Sequence, residues 1–128
     1  MTMTVEQFMT KTPHSVGDDQ TVVEAALRMR ELNVRHLPVM RGSRLVGIVS
    51  HRDLAVLEAI AGAHPSELTV SHAMTPEPYA VEPSTPLREV AATMADHRYG
   101  AVVIVEDGEP TGIFTTTDAV RVLSQLCD

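Results

Sequence analysis

The strongest constraint on this chain is that it is written twice. Shifting the sequence by 65 residues aligns its two halves without a gap. Val5, Met9, Thr10, Pro13, Val16, Glu24, Ala26 and Met29 meet identical residues at Val70, Met74, Thr75, Pro78, Val81, Glu89, Ala91 and Met94. Gly47, Ile48 and Asp53 likewise meet Gly112, Ile113 and Asp118, and similar residues fill the intervals. Whatever one half folds into, the other must repeat. A unit of roughly 60 residues is marginal alone, so each copy is expected to bury apolar surface against the other. The copies are bounded as residues 1–64 and 65–128, with Gly62 to Thr69 as a short linker.

Each copy implies the same elements. A short extended piece ends near Val16 or Val81. A helix follows, with Val22, Ala25, Ala26, Met29 and Leu32 on one face, echoed by Leu87, Val90, Ala91 and Met94. Thr21 and Glu24 have capping-box spacing, and Pro86 suits a first helical turn. Two apolar runs then flank a tight turn: LPVM and LVGIV around Arg41 to Arg44, AVVIV and TGIF around Glu106 to Glu109. Asp107-Gly108 is a strong hairpin signal, and Pro38, lacking an N–H, belongs at a strand start or edge. A last helix runs from about Arg52 to Ala61 and from about Thr117 to Leu126. The predicted class is α+β, with each repeat running β-α-β-β-α and the two related by a pseudo-two-fold.

Composition removes several functions. The chain of 128 residues carries a formal charge of −7, and with 3% aromatic residues and no Trp its core is aliphatic. Binding to a nucleic acid polymer through net charge or ring stacking is therefore not expected. Basic residues are concentrated in the first half, with seven Lys/Arg against three in the second, so a local phosphate pocket belongs there. No window approaches the roughly 18 apolar residues of a membrane span. The N-terminal MTMTVEQFMTK has no signal-peptide pattern, and a single cysteine, Cys127, suits a reducing, cytoplasmic setting. The six histidines form no metal-ligand spacing, His51-Arg52-Asp53 lacks every other part of a kinase catalytic loop, and no nucleophile elbow is present. An enzyme is not expected.

The motif of interest is GIVSHRD, Gly47 to Asp53, and its copy GIFTTTD, Gly112 to Asp118. Ser50-x-x-Asp53 and Thr115-x-x-Asp118 fit a helix cap followed by an acid in the first turn. They also fit a ligand site. A carboxylate accepts from both vicinal hydroxyls of a ribose, while a hydroxyl residue and the free N–H groups of a helix start hold phosphate. Gly47 and Gly112 would let a ligand approach the backbone. Capping and binding are compatible.

The unit order, LPVM followed by GIVSHRD, and the echo GIFTTTD together resemble the cystathionine-β-synthase (CBS) domain, whose tandem pair is called a Bateman module. The resemblance covers essentially the whole chain. It implies two repeats packed through their sheets and a regulatory sensor of adenosyl ligands (AMP, ADP, ATP, NAD or S-adenosylmethionine) held in clefts between them. It implies ribose contacts at Asp53 and Asp118, supported by Ser50, Thr115 and Thr117. Each pocket would take its base-facing wall from the other repeat, so that Asp118 faces Met9, Thr10 and His14 while Asp53 faces Met74, Thr75 and Tyr79. Arg35 and His36, just before the LPV strand, would meet phosphate, with Arg52 as a further contact. The second copy departs here, with Tyr99-Gly100-Ala101, so the two sites should be unequal. No cofactor is required beyond the adenosyl nucleotide, which can bring Mg with it. The output would pass to an effector protein, and Val56, Ile60, Val120 and Leu123 are open to two uses: packing within the chain, or a homodimer interface.

Overall fold

The computed structural model describes residues 2–12, 14–61 and 67–127. Most of the expected linker, Gly62 to Ser66, therefore lies outside the described residues. Among the described residues, eight strands and five α-helices follow one another in the order β1 (Thr10–Lys11), β2 (Val16–Gly17), α1 (Val22–Leu32), β3 (His36–Arg41), β4 (Arg44–Ser50), α2 (His51–Ala61), α3 (Val70–Ala73), β5 (Thr75–Pro76), β6 (Ala80–Val81), α4 (Leu87–His97), β7 (Ala101–Glu106), β8 (Glu109–Thr115) and α5 (Thr116–Leu126). A 3-10 turn at Val5–Gln7 precedes them, and the short α3 is its counterpart in the second copy.

The chain divides into two compact units that are offset from the sequence repeat. One is His14–Pro78; the other joins Met1–Pro13 to Tyr79–Asp128. In the first, the sheet order is β2-β3-β4-β5; in the second it is β1-β8-β7-β6. Each sheet thus takes one edge strand from the opposite copy. β5 adds antiparallel to β4, pairing Thr75 with Ile48 and Pro76 with Gly47. β1 adds in the same way to β8, pairing Thr10 with Ile113 and Lys11 with Gly112.

Elementary chemistry explains the common elements. Thr21 and Glu24 cap α1 reciprocally: the Thr21 hydroxyl accepts from Glu24 N and the Glu24 carboxylate accepts from Thr21 N, both at 3.1 Å. In α4 the matching residue is Pro86, which stands at the N-cap with ψ 134° rather than inside the first turn. The β7–β8 turn puts Asp107 at φ 52° and Gly108 at φ 80°, the left-handed pair that matches strand twist in a two-residue hairpin. Pro38 sits in β3 opposite Ile48, one residue before the β2 pairing begins at Val39, so its missing N–H removes no bond of the β2 ladder.

Each unit has its own apolar core, aliphatic apart from Phe114 in the second. Val16, Val22, Ala25, Met29, Leu37, Val39, Val49, Leu54 and Val70 fill the first. Val5, Leu87, Val90, Met94, Val102, Ile104, Phe114 and Val122 fill the second. Of the expected core face, Ala91 is exposed instead. Val56, Ile60, Val120 and Leu123 are also exposed.

Candidate functional site

The hydroxyl–aspartate frame stands at the junction of a central strand and a helix in each unit. β4 ends at Ser50 and α2 begins at His51; β8 ends at Thr115 and α5 begins at Thr116. Both frames are capping boxes. Ser50 N donates to Asp53 Oδ2 at 2.9 Å, and Asp53 N donates to Ser50 Oγ at 3.0 Å. Thr115 N donates to Asp118 Oδ2 at 2.9 Å, and Asp118 N donates to Thr115 Oγ1 at 3.2 Å.

Neighbouring segments converge on these helix starts. In the first unit, His51 N donates to the Arg35 carbonyl at 2.8 Å, and His36 pairs with Ser50 across the β3–β4 ladder. Arg35, His36, Ser50, Arg52 and Asp53 therefore share one end of the sheet, with Thr75 beside β4. Arg35 and Arg52 are exposed and form no ion pair among the described residues. Arg41 and Arg28 are already engaged, the first with Asp18 at 2.7 Å and the second with the Ser15 carbonyl at 2.9 Å. A hollow of about 830 Å³, floored by Met29 and Val34, opens beside Arg35 and His51.

In the second unit, Thr116 N donates to the Gly100 carbonyl at 3.1 Å. Thr115, Thr117, Asp118, Thr10, Tyr99 and Gly100 thus belong to one unit, and Tyr79 joins them. The Tyr79 and Tyr99 rings lie 5.4 Å apart, and His97 stacks on Tyr99 at 5.1 Å and 9°. The resemblance pairs Tyr79 with Asp53 and His14 with Asp118; the structure places Tyr79 in the unit of Asp118 and His14 in the unit of Asp53.

The expected exchange between copies is visible at Thr10, whose hydroxyl donates to Asp118 Oδ1 at 3.2 Å across 108 residues of chain. The expected role of the glycines is not. A Cβ on Gly47 would lie 2.6 Å from Met74 Sδ and 2.9 Å from the Thr75 carbonyl oxygen. On Gly112 it would meet Met9 Sδ and, at 3.0 Å, the Thr10 carbonyl oxygen. Both glycines make room for the exchanged strand and the methionine before it.

The two carboxylates differ sharply in what they hold. Asp118 is 5% exposed, and both of its oxygens are engaged. Oδ2 accepts from Thr115 N and, at 3.1 Å, from Thr115 Oγ1; Oδ1 accepts from Thr10 Oγ1 and, at 3.1 Å, from Arg121 Nη1. Asp53 is half-buried, and among the described residues only its Oδ2 has a partner. Sequence reasoning missed Arg121, although its spacing of three from Asp118 on one helix was the available signal. It also missed His97, which nothing in its local sequence distinguishes.

A pair of α+β units, each with a capped carboxylate at the start of the helix that follows its central hairpin, has the architecture of a tandem regulatory module. The chain belongs to the CBS domain family, whose model matches residues 5–59 and 70–125. Such a pair is in general a regulatory rather than a catalytic module. Among proteins it resembles, YlbB of Bacillus subtilis is 39% identical over 99 residues, 76% of this chain and 66% of that protein, so the chain spans just under two thirds of that relative. The CBS domain pair of protein MJ0100, solved with 5-methylthioadenosine and S-adenosyl-L-methionine, superposes with a TM-score of 0.84 at 25% identity, over 98% of both chains. CBSX2 of Arabidopsis thaliana, solved with AMP, superposes with a TM-score of 0.74 at 32% identity, over 96% of this chain and 97% of that one. Among the described residues no helix is long and apolar enough to cross a membrane, and no cluster of three His, Cys, Asp or Glu could hold a metal.

Proposed function

We propose that this chain is a ligand-sensing regulatory module that binds an adenosyl nucleotide or related riboside. The observation that carries the reading is the Asp53 carboxylate, one oxygen of which has no partner among the described residues at the start of α2. A ribose diol would hydrogen-bond that carboxylate. The phosphate would meet Ser50, Arg52, Arg35 and His36, with the helix N-terminus adding favourable partial charge. Thr75 would line the base side, with His14 as a further contact. The matching set at Asp118 is Thr115, Thr117, Thr10, Tyr79, Tyr99 and Gly100, and we propose it as the weaker site. Related CBS pairs solved with AMP or S-adenosylmethionine support this ligand class.

Binding would act by population shift, favouring one conformation of the module that an effector protein reads. The exposed apolar residues Val56 and Ile60 on α2, and Val120 and Leu123 on α5, are the surface we assign to a second copy of the chain. The exposed thiol of Cys127 is compatible with a cytoplasmic setting. A second reading, a protein-interaction module whose ligand sites stay empty, draws on the full internal satisfaction of Asp118.

Calorimetric titration and thermal shift with AMP, ADP, ATP, NAD and S-adenosylmethionine decide between them. At least one ligand is expected to bind and raise the melting temperature, and Asp53→Ala is expected to remove most of that binding. No shift with any of the five would support the interaction module. Undiminished binding to Asp53→Ala would place the ligand elsewhere.

A further inference from the structure

Arg121 has no counterpart in the first copy: 65 residues earlier stands Val56. Its Nη1 lies 3.1 Å from Asp118 Oδ1, with the guanidinium side chain 62% exposed and the carboxylate 7% exposed. The geometry points to Arg121 as a specificity-determining residue, which closes Asp118 to neutral ribosides and leaves it open to ribosides that carry an anionic group. This rests on the ligand-binding reading above and goes on to say what chemistry each site accepts.

The argument follows from donors and charges. Thr115 Oγ1, on Oδ2, is held in place as the acceptor of Asp118 N, so a ribose diol reaches Asp118 most readily where Oδ1 releases one of its two donors, Thr10 Oγ1 or Arg121 Nη1. The Thr10 hydroxyl is neutral, but it stands on β1, whose backbone is paired to β8. Arg121, with its side chain 62% exposed, is the partner with room to turn away, and its charge cannot be discharged by losing a proton. A neutral riboside brings hydroxyls to the carboxylate and nothing to the displaced guanidinium. A phosphorylated riboside brings a replacement anion, for which the planar guanidinium is well suited. The exchange is then one ion pair for another. At Asp53 no such exchange arises, because Val56 presents no charge and Oδ1 has no donor to release among the described residues.

The test uses the 128-residue chain with Asp53→Asn to silence the first site, and adenosine and AMP as probes in calorimetry. AMP is expected to bind the Asp53→Asn chain more tightly than adenosine. Adding Arg121→Ala is expected to strengthen adenosine binding about fivefold, the scale of a largely exposed ion pair, and to weaken AMP binding. Arg121→Lys, which keeps the charge, is expected to keep the preference for AMP; melting temperatures establish that each variant is folded. Adenosine affinity unchanged by Arg121→Ala, with AMP still bound, would overturn the inference and leave the proposed function standing. So would a wild-type chain that binds AMP and an Asp53→Asn chain that binds neither probe. Failure of the wild-type chain to bind either probe would overturn the inference, and would remove the proposed function too only if ADP, ATP, NAD and S-adenosylmethionine also failed to bind.

Discussion

The unequal engagement of the two aspartates has a consequence for stability that the sequence motif alone does not contain. Asp53 and Asp118 occupy identical positions in the repeat, so on sequence grounds their replacement by alanine should cost the same. On the structure it should not. Asp53→Ala removes one carboxylate hydrogen bond, to Ser50 N at 2.9 Å, from a half-buried site, together with an acid in the first turn of α2. Loss of a cap contact of this kind costs about 1 kcal/mol. Asp118→Ala removes the equivalent bond to Thr115 N and also leaves Thr10 Oγ1, Thr115 Oγ1 and Arg121 without their acceptor. Arg121 is mostly exposed and contributes under about 1 kcal/mol. The hydroxyl bonds to a buried charge add about 1 kcal/mol each, bringing the total to about 3 kcal/mol. For a chain of 128 residues, the difference of about 2 kcal/mol corresponds to roughly 7 °C in melting temperature. Urea denaturation and calorimetric melting of the two single variants, without ligand, measure it. A double-mutant cycle of Asp118→Ala with Thr10→Val should return a coupling of about 0.5–1 kcal/mol for the strand-to-helix bond. Equal costs at the two positions, or a larger cost at Asp53, would refute the reasoning.

Other perturbations test other parts of the structure. Gly47→Ala should destabilise by about 1–3 kcal/mol, because the added carbon meets Met74 Sδ and the Thr75 carbonyl oxygen, whereas Gly100→Ala, with nothing within 4 Å, should be near neutral in the same melts. The bonds from Thr21 backbone and hydroxyl hold the Glu24 carboxyl below its ordinary value of 4.5. A lowered value stabilises the folded state above the ordinary value and is lost as pH falls through the folded one. Melting curves below pH 4.5 should therefore show a steeper acid loss for the wild type than for Glu24→Gln. If the proposed second-copy surface is right, Leu123→Glu should shift light-scattering mass from dimer towards monomer without lowering the melting temperature, since Leu123 is 60% exposed; a wild-type chain that is already monomeric would refute that surface.

Much of the architecture is legible in the residues themselves, because it rests on local chemistry. The 65-residue period, the helical faces ending at Met29 and Met94, the Asp107-Gly108 turn and the capping spacing at Thr21, Ser50 and Thr115 act within one element or one turn. The same residues could not tell which strand edge each short segment would join. β1 and β5 are two residues long, too short for any periodicity, and their placement is decided by the space that Gly112 and Gly47 leave for Met9 and Met74. That placement carries Thr10 to Asp118 and so separates two aspartates that look alike. Arg121 completes the difference from one turn further along the helix. The sequence by itself determined two capped carboxylates in a repeated frame. Only the tertiary structure decided that Asp118, buried, also accepts from Thr10, a donor brought from 108 residues away, while among the described residues Asp53 Oδ1 has no partner.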